Sequence, residues 1–325
     1  LPTSASIGVV VIGRNEADRL EWSLGSVRAA SPTDAVYVDS GSSDGSAEIA
    51  ERLGFRVIRL ESGPMNAARA RQAGWRALHA EFVFFLDGDS ALHPDFCRNS
   101  LRRFDDPRTA CVFGLVYERT PERSLLHRMN ERYLCPLRYF GDGGLRGGNH
   151  LWRRSALTHT GGFDERLFTL ENVELGERVR DAGFSVLHVD DPMVVHDLGS
   201  FGYGAWFRRA RRVGFGAADC FVKIRRPLSW FWELKDSRET MAQSAGATVA
   251  LGAAFLVPVG SSSILAAGWL MVMTARSAWH VRSRCNSVAE AFVFGVHETL
   301  RAFGFLAGLA EWLVRPRRTT PDWRN

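Results

Sequence analysis

The sequence predicts an α/β fold: a Rossmann-like, mainly parallel sheet with helices on both faces, followed by a helical region of different character. Three observations carry that expectation. Short apolar runs of strand length alternate with longer segments of helical spacing. Almost every run stops at a polar or glycine-rich motif, as strands do where an α/β sheet meets its ligand. From Phe201 onward the composition turns basic and aromatic, then becomes a long uncharged stretch.

With 325 residues the chain can bury a sizeable core, as one large domain or two. The net charge of +5 is modest, and its basic residues gather near the C-terminal half without interleaving the N-terminal motifs. Nucleic acid is therefore not an expected partner. Cys97, Cys111, Cys135, Cys220 and Cys285 are widely spaced and form no C-x-x-C pair. That pattern suits a reducing compartment and argues against a zinc site. No basic segment followed by an apolar run and a cleavage site opens the sequence, so no secretory signal is expected.

Residues 7–12 form the first apolar strand, ending in Gly13-Arg14-Asn15-Glu16 before a helix over 17–30. Residues 35–38 form the next, ending in Asp39-Ser40-Gly41-Ser42-Ser43-Asp44-Gly45-Ser46, with helical spacing over 47–53. A short strand over 55–60 and an Ala- and Arg-rich helix over 66–80 follow. Phe82-Val83-Phe84-Phe85-Leu86 is too short for a helix and rich in β-formers, and it stops at Asp87-Gly88-Asp89. The parallel order collects Asn15, Glu16, Asp39, Asp44, Asp87 and Asp89 at one sheet edge, where open α/β sheets bind ligands.

Two carboxylates one residue apart in a crevice repel each other unless a cation lies between them. Oxygen ligands select a hard ion, Mg²⁺ or Mn²⁺, which commonly bridges carboxylates to a substrate's phosphates. The same residues also describe a solvated Asp-Gly turn. In the loop from Asp39 to Ser46 there is no G-x-G-x-x-G and no P-loop lysine, so dinucleotide and P-loop folds lose support. Asp39 and Asp44 offer acceptors for a ribose hydroxyl or a pyrimidine N–H, and Gly41 and Gly45 admit a flat base. An Asx-turn with a helix N-cap at Ser46 or Asp44 is the structural alternative.

Ile12-Gly13-Arg14-Asn15-Glu16, Val38-Asp39 through Gly45, Ala68-Arg69-Ala70-Arg71-Gln72-Ala73-Gly74 and Leu86-Asp87-Gly88-Asp89 stand in an order that resembles the family 2 glycosyltransferases of GT-A fold. The resemblance covers residues 7–216. It implies a nucleotide-sugar donor, with Asn15, Glu16, Asp39 and Asp44 on the donor side and Asp87 and Asp89 holding a metal on the diphosphate. Arg69 falls where the family often places a basic residue near the donor phosphates, which suits a guanidinium fork. A surface arginine explains it as well.

A helix over 96–104 and a strand over 110–117, running antiparallel at the far side of the sheet, are expected next. Residues 121–140 mix charges and aromatics without a period. The glycine-dense loop Gly143-Gly144-Leu145-Arg146-Gly147-Gly148-Asn149 follows, with Gly148 assigned to the donor. Gly161-Gly162-Phe163-Asp164-Glu165, then Glu171-Asn172 and a helix whose end is matched by Arg178 to Gly183, resemble the family's acceptor-side block. Inversion by a single displacement needs a base for the acceptor hydroxyl's proton. The family usually supplies the Asp of a Glu-Asp pair; this chain has Asn172, and an amide cannot be a base. Glu171 is the expected base and Glu174, one turn on, its substitute. As first-turn charges both also satisfy the helix dipole. Short strands over 186–189 and 193–195 flank Asp190-Asp191-Pro192 and end at His196, which relatives often use as a third metal ligand and which tilts the choice toward Mn²⁺.

Beyond residue 200 the expectation is a basic and aromatic interfacial segment over 201–239, then a membrane-associated helical region over 240–325. Residues 240–275 contain no charge and are interrupted by Pro258-Val259-Gly260-Ser261-Ser262-Ser263, which reads as a membrane hairpin. One hairpin leaves Arg208 to Arg226, Arg276, Arg282, Arg284, Arg315, Arg317 and Arg318 on the cytoplasmic side. A buried soluble hairpin and two separate crossings are the alternatives. Residues 288–314 are interrupted by Glu290, His297, Glu298, Arg301 and Glu311, and read as an interfacial or bundle-packed helix. Arg209 and Arg212 serve either the donor phosphates or lipid headgroups. Together these readings describe a membrane-attached, Mn²⁺- or Mg²⁺-dependent inverting glycosyltransferase at the cytoplasmic face, acting on a lipid-linked or membrane-proximal glycan acceptor. A membrane scaffold that has lost turnover through Asn172 is the alternative.

Overall fold

The computed structural model describes residues 5–129, 141–142, 145, 147–200, 202–224, 268, 271–272, 274–275 and 287–314. They fall into two compact units, Leu1–Gly199 and Ser200–Asn325.

In the first unit β1 (Ile7–Gly13), β2 (Asp34–Asp39), β3 (Arg56–Arg59) and β4 (Phe82–Asp87) alternate with α1 (Ala17–Ala30), α2 (Ser46–Arg52) and α3 (Ala67–Ala77). Then come β5 (Ser90–Leu92), α4 (Phe96–Ser100), β6 (Thr109–Glu118), α5 (Leu125–Met129), β7 (Gly141–Asp142), β8 (His150–Arg153), α6 (Arg154–Thr160), α7 (Glu171–Asp181) and β9 (Ser185–His196). The strands form one sheet in the order β3-β2-β1-β4-β8-β6-β9-β5, with β7 beside β9. The β1, β4, β6 and β8 interiors are buried on both faces. That burial explains their near-continuous apolar runs. Aromatic contacts tie the sheet to its surroundings: Phe84 meets Phe96 and Phe85 meets Phe163 edge-on, with ring centres 5.9 and 5.0 Å apart.

The pattern of residues predicts a mainly parallel sheet, and β1 to β4 pair that way. The rest is mixed, because β8 is antiparallel to both β4 and β6. The strand expected to be reversed, β6, therefore runs in the sense of β4; β8, β7 and β5 are the reversed ones. Hydrophobic period reports burial and carries no information on strand direction, so this could not be read from composition. The two strands expected around Asp190-Asp191-Pro192 are one, β9, which absorbs Pro192 opposite Leu115 at a shift of register. The expected helix over 96–104 ends early, passing into a 3-10 turn over Leu101–Asp105.

Helix α3 turns Ala68, Arg71, Gln72 and Trp75 inward, a spacing of three and four that makes one stripe. Two of the four are polar. Asn66 caps its start by accepting the Arg69 N–H at 2.8 Å.

In the second unit α8 (Tyr203–Ile224) packs along α9 (Val288–Val314), and Arg211 Nε donates to Glu311 Oε2 at 3.0 Å. The two backbones nearly touch: a Cβ on Gly214 would lie 2.9 Å from Phe305 Cα, and one on Gly304 would lie 2.8 Å from the Phe207 carbonyl. Glu311 is thus accommodated by packing, in keeping with a bundle-packed helix. Among the described residues no helix is long and apolar enough to cross a membrane. Nearly all of 240–275, on which the membrane hairpin rests, and Arg276, Arg282, Arg284, Arg315, Arg317 and Arg318 lie outside the described residues, as do 130–140.

Candidate active site

Strand register gathers the polar motifs. Gly13 pairs with Asp39 and Ile12 with Asp87, so the C-terminal ends of β1, β2 and β4 are level. On the other side Glu118, the last residue of β6, pairs with His196, the last residue of β9, and His196 also pairs with Ser90, next to Asp89.

At the centre is Arg71, whose side chain is 3% exposed. One Nη donates to Asp87 Oδ1 and the other to Glu171 Oε1, both at 2.6 Å. Glu171, at the start of α7, also accepts from Asn172 Nδ2 at 3.0 Å, while Asn172 Oδ1 is buried with no hydrogen-bond partner among the described residues. Leu170, just before this helix, adopts a left-handed conformation, φ 64°, which for a leucine is strained. Asn149 Oδ1 accepts the Asp87 N–H at 2.8 Å, and Gly148 lies against the Asp87 carboxylate so closely that a Cβ there would sit 2.7 Å from Asp87 Cγ. Only glycine fits. His150 Nε2 donates to the Gly147 carbonyl at 2.9 Å; burial, aided by Arg71, pushes its pKa down to about 3, so it is neutral.

The Asp89 carboxylate faces a different cation. His196 Nε2 is 3.4 Å from Asp89 Oδ2 and its Nδ1 is 3.1 Å from Glu118 Oε2, the Glu118 side chain being fully buried. Burial opposes charge on His196, but its hydrogen bonds to the two carboxylates prevail and push its pKa up to about 10. The same contact holds Asp89 below the usual carboxylate range against its own burial. Glu16 stands beside this group, paired with Arg19; burial and the charge of Asp89 push its pKa up to about 7.

The donor-side loops are stitched to each other. Asn15, at φ 58°, donates its N–H to Ser42 Oγ at 2.9 Å and accepts the Ser43 N–H on Oδ1 at 2.9 Å. Asp39 accepts from the N–H groups of Gly41 and Ser42 and from Ser42 Oγ. Asp44 accepts the Ala17 N–H on one oxygen and the Ser46 N–H and Oγ on the other. These include the Asx-turns expected as the alternative, and they shape both loops; the helix cap expected at Ser46 or Asp44 is not formed, since α2 begins at Ser46 after Gly45 with no side-chain cap. A carboxylate has about four lone-pair sites, so Asp39 retains capacity for a ligand.

Asn15, Glu16, Asp39, Asp44, Asp87, Asp89, Gly148, Glu171, Asn172 and His196 thus belong to one edge of the first unit. Two expected residues do other work. Glu174 is bound by both oxygens to Arg178, at 2.8 and 2.6 Å, and Arg178 also holds the Thr160 and Gly162 carbonyls. The Glu174–Arg178 pair is a strut between α7 and the Gly161-Gly162 turn. Arg69 donates to the Ser62 and Pro64 carbonyls, closing the loop before α3. Arg209 and Arg212 are exposed on α8, in the second unit. Sequence reasoning missed Arg71, Asn149 and Glu118. For Arg71 the signal was present: it shares the inward stripe of α3 with Ala68 and Trp75, where an arginine is buried only if paired.

Among the described residues no group of three or more His, Cys, Asp or Glu side chains is arranged to hold a metal ion. The donor chemistry still fits one, since two carboxylates, at the end of β4 and just before β5, and an imidazole at the end of β9 suit Mg²⁺ or Mn²⁺. What keeps them from forming a ready cage is visible: Asp87 is taken by Arg71, and the His196 ring is held by Asp89 and Glu118.

A mixed α/β sheet with flanking helices and an Asp-x-Asp at the end of its central strand defines a GT-A-like unit. In comparison with known proteins, residues 8–162 match the model of glycosyl transferase family 2. EpsH of Bacillus subtilis is 30% identical over 138 residues, 38% of this chain and 39% of that one. The pre-mycofactocin glycosyltransferase of Mycobacterium tuberculosis is 26% identical over 238 residues, 70% of this chain and 49% of that one. The chain therefore spans half or less of the length of these relatives. The solved mannosyltransferase PcManGT of Pyrobaculum calidifontis, in complex with GDP-Man and Mn²⁺, shares the fold with a TM-score of 0.59 at 18% identity, over 96% of this chain and 88% of that one.

Proposed function

We propose that this chain is an inverting, divalent-metal-dependent glycosyltransferase that moves a sugar from a nucleotide diphosphate sugar to a lipid-linked or membrane-proximal glycan. The observation that supports it most is the meeting of Asp87, Arg71 and Glu171 at the edge where Asp39 and Asp44 shape the donor loops. The family match and a structural neighbour solved with GDP-Man and Mn²⁺ support the donor class.

In this reading Asp39, Asp44, Asn15 and Gly148 border the nucleoside and diphosphate, and Asp87, Asp89 and His196 are the residues that would hold the ion. A bound divalent cation supplies charge neutralisation for the departing diphosphate. The acceptor oxygen forms its bond to the anomeric carbon as the bond to the diphosphate breaks, and the leaving nucleotide keeps the electron pair. Glu171 takes the hydroxyl proton on the oxygen that Arg71 and Asn172 leave open. Donor turnover with GDP-mannose or UDP-GlcNAc in Mn²⁺, lost on chelation, is the expected result. Glu171→Gln should lower transfer about 10²- to 10⁴-fold while nucleotide binding persists. Normal turnover in that variant would remove the assignment. The scaffold reading draws on the buried amide of Asn172, and tight nucleotide binding without any turnover in the unaltered protein would favour it.

The same proposal puts the protein at the cytoplasmic face of a membrane. Support comes from Arg208, Arg209 and Arg212, exposed on α8, and from Val288, Leu313 and Val314, exposed at the ends of α9. Each arginine near an anionic surface contributes roughly 1 kcal/mol. Replacing all three with glutamine should weaken binding to phosphatidylglycerol vesicles on the order of 10²-fold. Equal co-sedimentation of both proteins would count against it.

A further inference from the structure

The Asp-x-Asp pair carries its own counter-ions. Asp87 is met by the guanidinium of Arg71 and Asp89 by the imidazole of His196, one cation on each carboxylate. The Arg71 side of this arrangement is built into the core. The side chain is 3% exposed, both Nη groups are bound at 2.6 Å, its Cζ lies 5.9 Å from the Phe163 ring centre, and Gly148 closes over the contact. Nothing in the fold needs a second carboxylate at Asp87 for Arg71 to remain paired, because Glu171 alone, 8% exposed, supplies one. An arginine held between two carboxylates can release the more accessible of them. Asp87, with its side chain 33% exposed, is that one.

We propose that Arg71 is an exchangeable counter-ion: it occupies Asp87 in the metal-free protein, yields that carboxylate when a divalent cation binds, and remains anchored on Glu171. The inference rests on the metal-dependent reading above and adds to it. Arg71 competes with the cation for the same oxygen, so it lowers the ion affinity of the empty site and couples ion binding to the surroundings of Glu171. It acts through Asp87 and Glu171 and is a positioning residue.

The test is Mn²⁺ binding alone, measured by loss of the free-ion electron paramagnetic resonance signal on titrating the full chain. Arg71→Met keeps an unbranched apolar stem and removes the guanidinium and its charge. It should bind Mn²⁺ at least tenfold more tightly than the unaltered protein, and Arg71→Lys should fall between them. A merely structural arginine predicts the opposite, since its loss would loosen the site. Equal or weaker binding by folded Arg71→Met overturns the proposal. Should Arg71→Met fail to fold because Glu171 is left unpaired, Arg71→Met combined with Glu171→Gln removes that carboxylate, and the same comparison is made against Glu171→Gln alone. Failure of the wider reading looks different: donor turnover by the unaltered protein would survive chelation of the metal.

Discussion

Gly148→Ala is the sharpest perturbation of the site. A Cβ at this position would sit 2.7 Å from Asp87 Cγ, short by 0.7 Å of the 3.4 Å at which ordinary contact begins, and closer still to Asp87 Oδ2 and Arg71 Nη2. The Gly148 backbone is held by its neighbours, since Asn149 grips the Asp87 N–H and His150 grips the Gly147 carbonyl. The carboxylate must therefore retreat by more than half an ångström or the β8 entry must shift. Overpacking of this kind costs about 1–3 kcal/mol of stability. The functional cost is larger, because a misplacement near 1 Å at a reacting centre lowers turnover on the order of 10²-fold. Turnover of GDP-mannose and UDP-GlcNAc in saturating Mn²⁺, with melting temperature followed in parallel, separates the two effects. Turnover within twofold of the unaltered protein would show that Asp87 is not held at the reacting centre, and the placement of the site would fall with it.

Two further outcomes follow from the contacts around the site. Glu174→Gln breaks the two-pronged pair with Arg178 and should cost about 2–3 kcal/mol of stability while leaving turnover at permissive temperature nearly intact; a loss as deep as that of Glu171→Gln, without unfolding, would restore Glu174 as a base. His196 has a folded-state pKa raised from 6.5 to about 10. A raised pKa means that the imidazolium stabilises the fold fully below about pH 6.5 and that this contribution fades as pH climbs through 10. The melting temperature of the unaltered protein should accordingly drop more steeply from pH 7 to 10 than that of His196→Gln, and parallel curves would contradict the ion triad with Asp89 and Glu118.

Much of the first unit is legible in the residues themselves. The helix over Ala17–Ala30 and the strands ending at Asp39 and Asp87 follow from apolar spacing and from the polar motif that stops each run. The parallel order of β1, β2 and β4 then brings the named carboxylates to one edge. Strand direction beyond β4 was not legible, because β8 is buried on both faces whichever way it runs. The choice between Arg69 and Arg71 was not legible from charge, only from the inward stripe of α3. Glu171 and Glu174 look alike along the chain, three residues apart at the start of one helix.

The chain alone determined the alternation of strands and helices through β4, the motifs at the sheet edge and the acidic pair at positions 87 and 89, since these depend on neighbours close in sequence. Only the tertiary structure decided which cation meets which carboxylate. Arg71 reaches Asp87 across 16 positions and Glu171 across 100. Such pairings are set by how three separate elements pack, and no local periodicity encodes them.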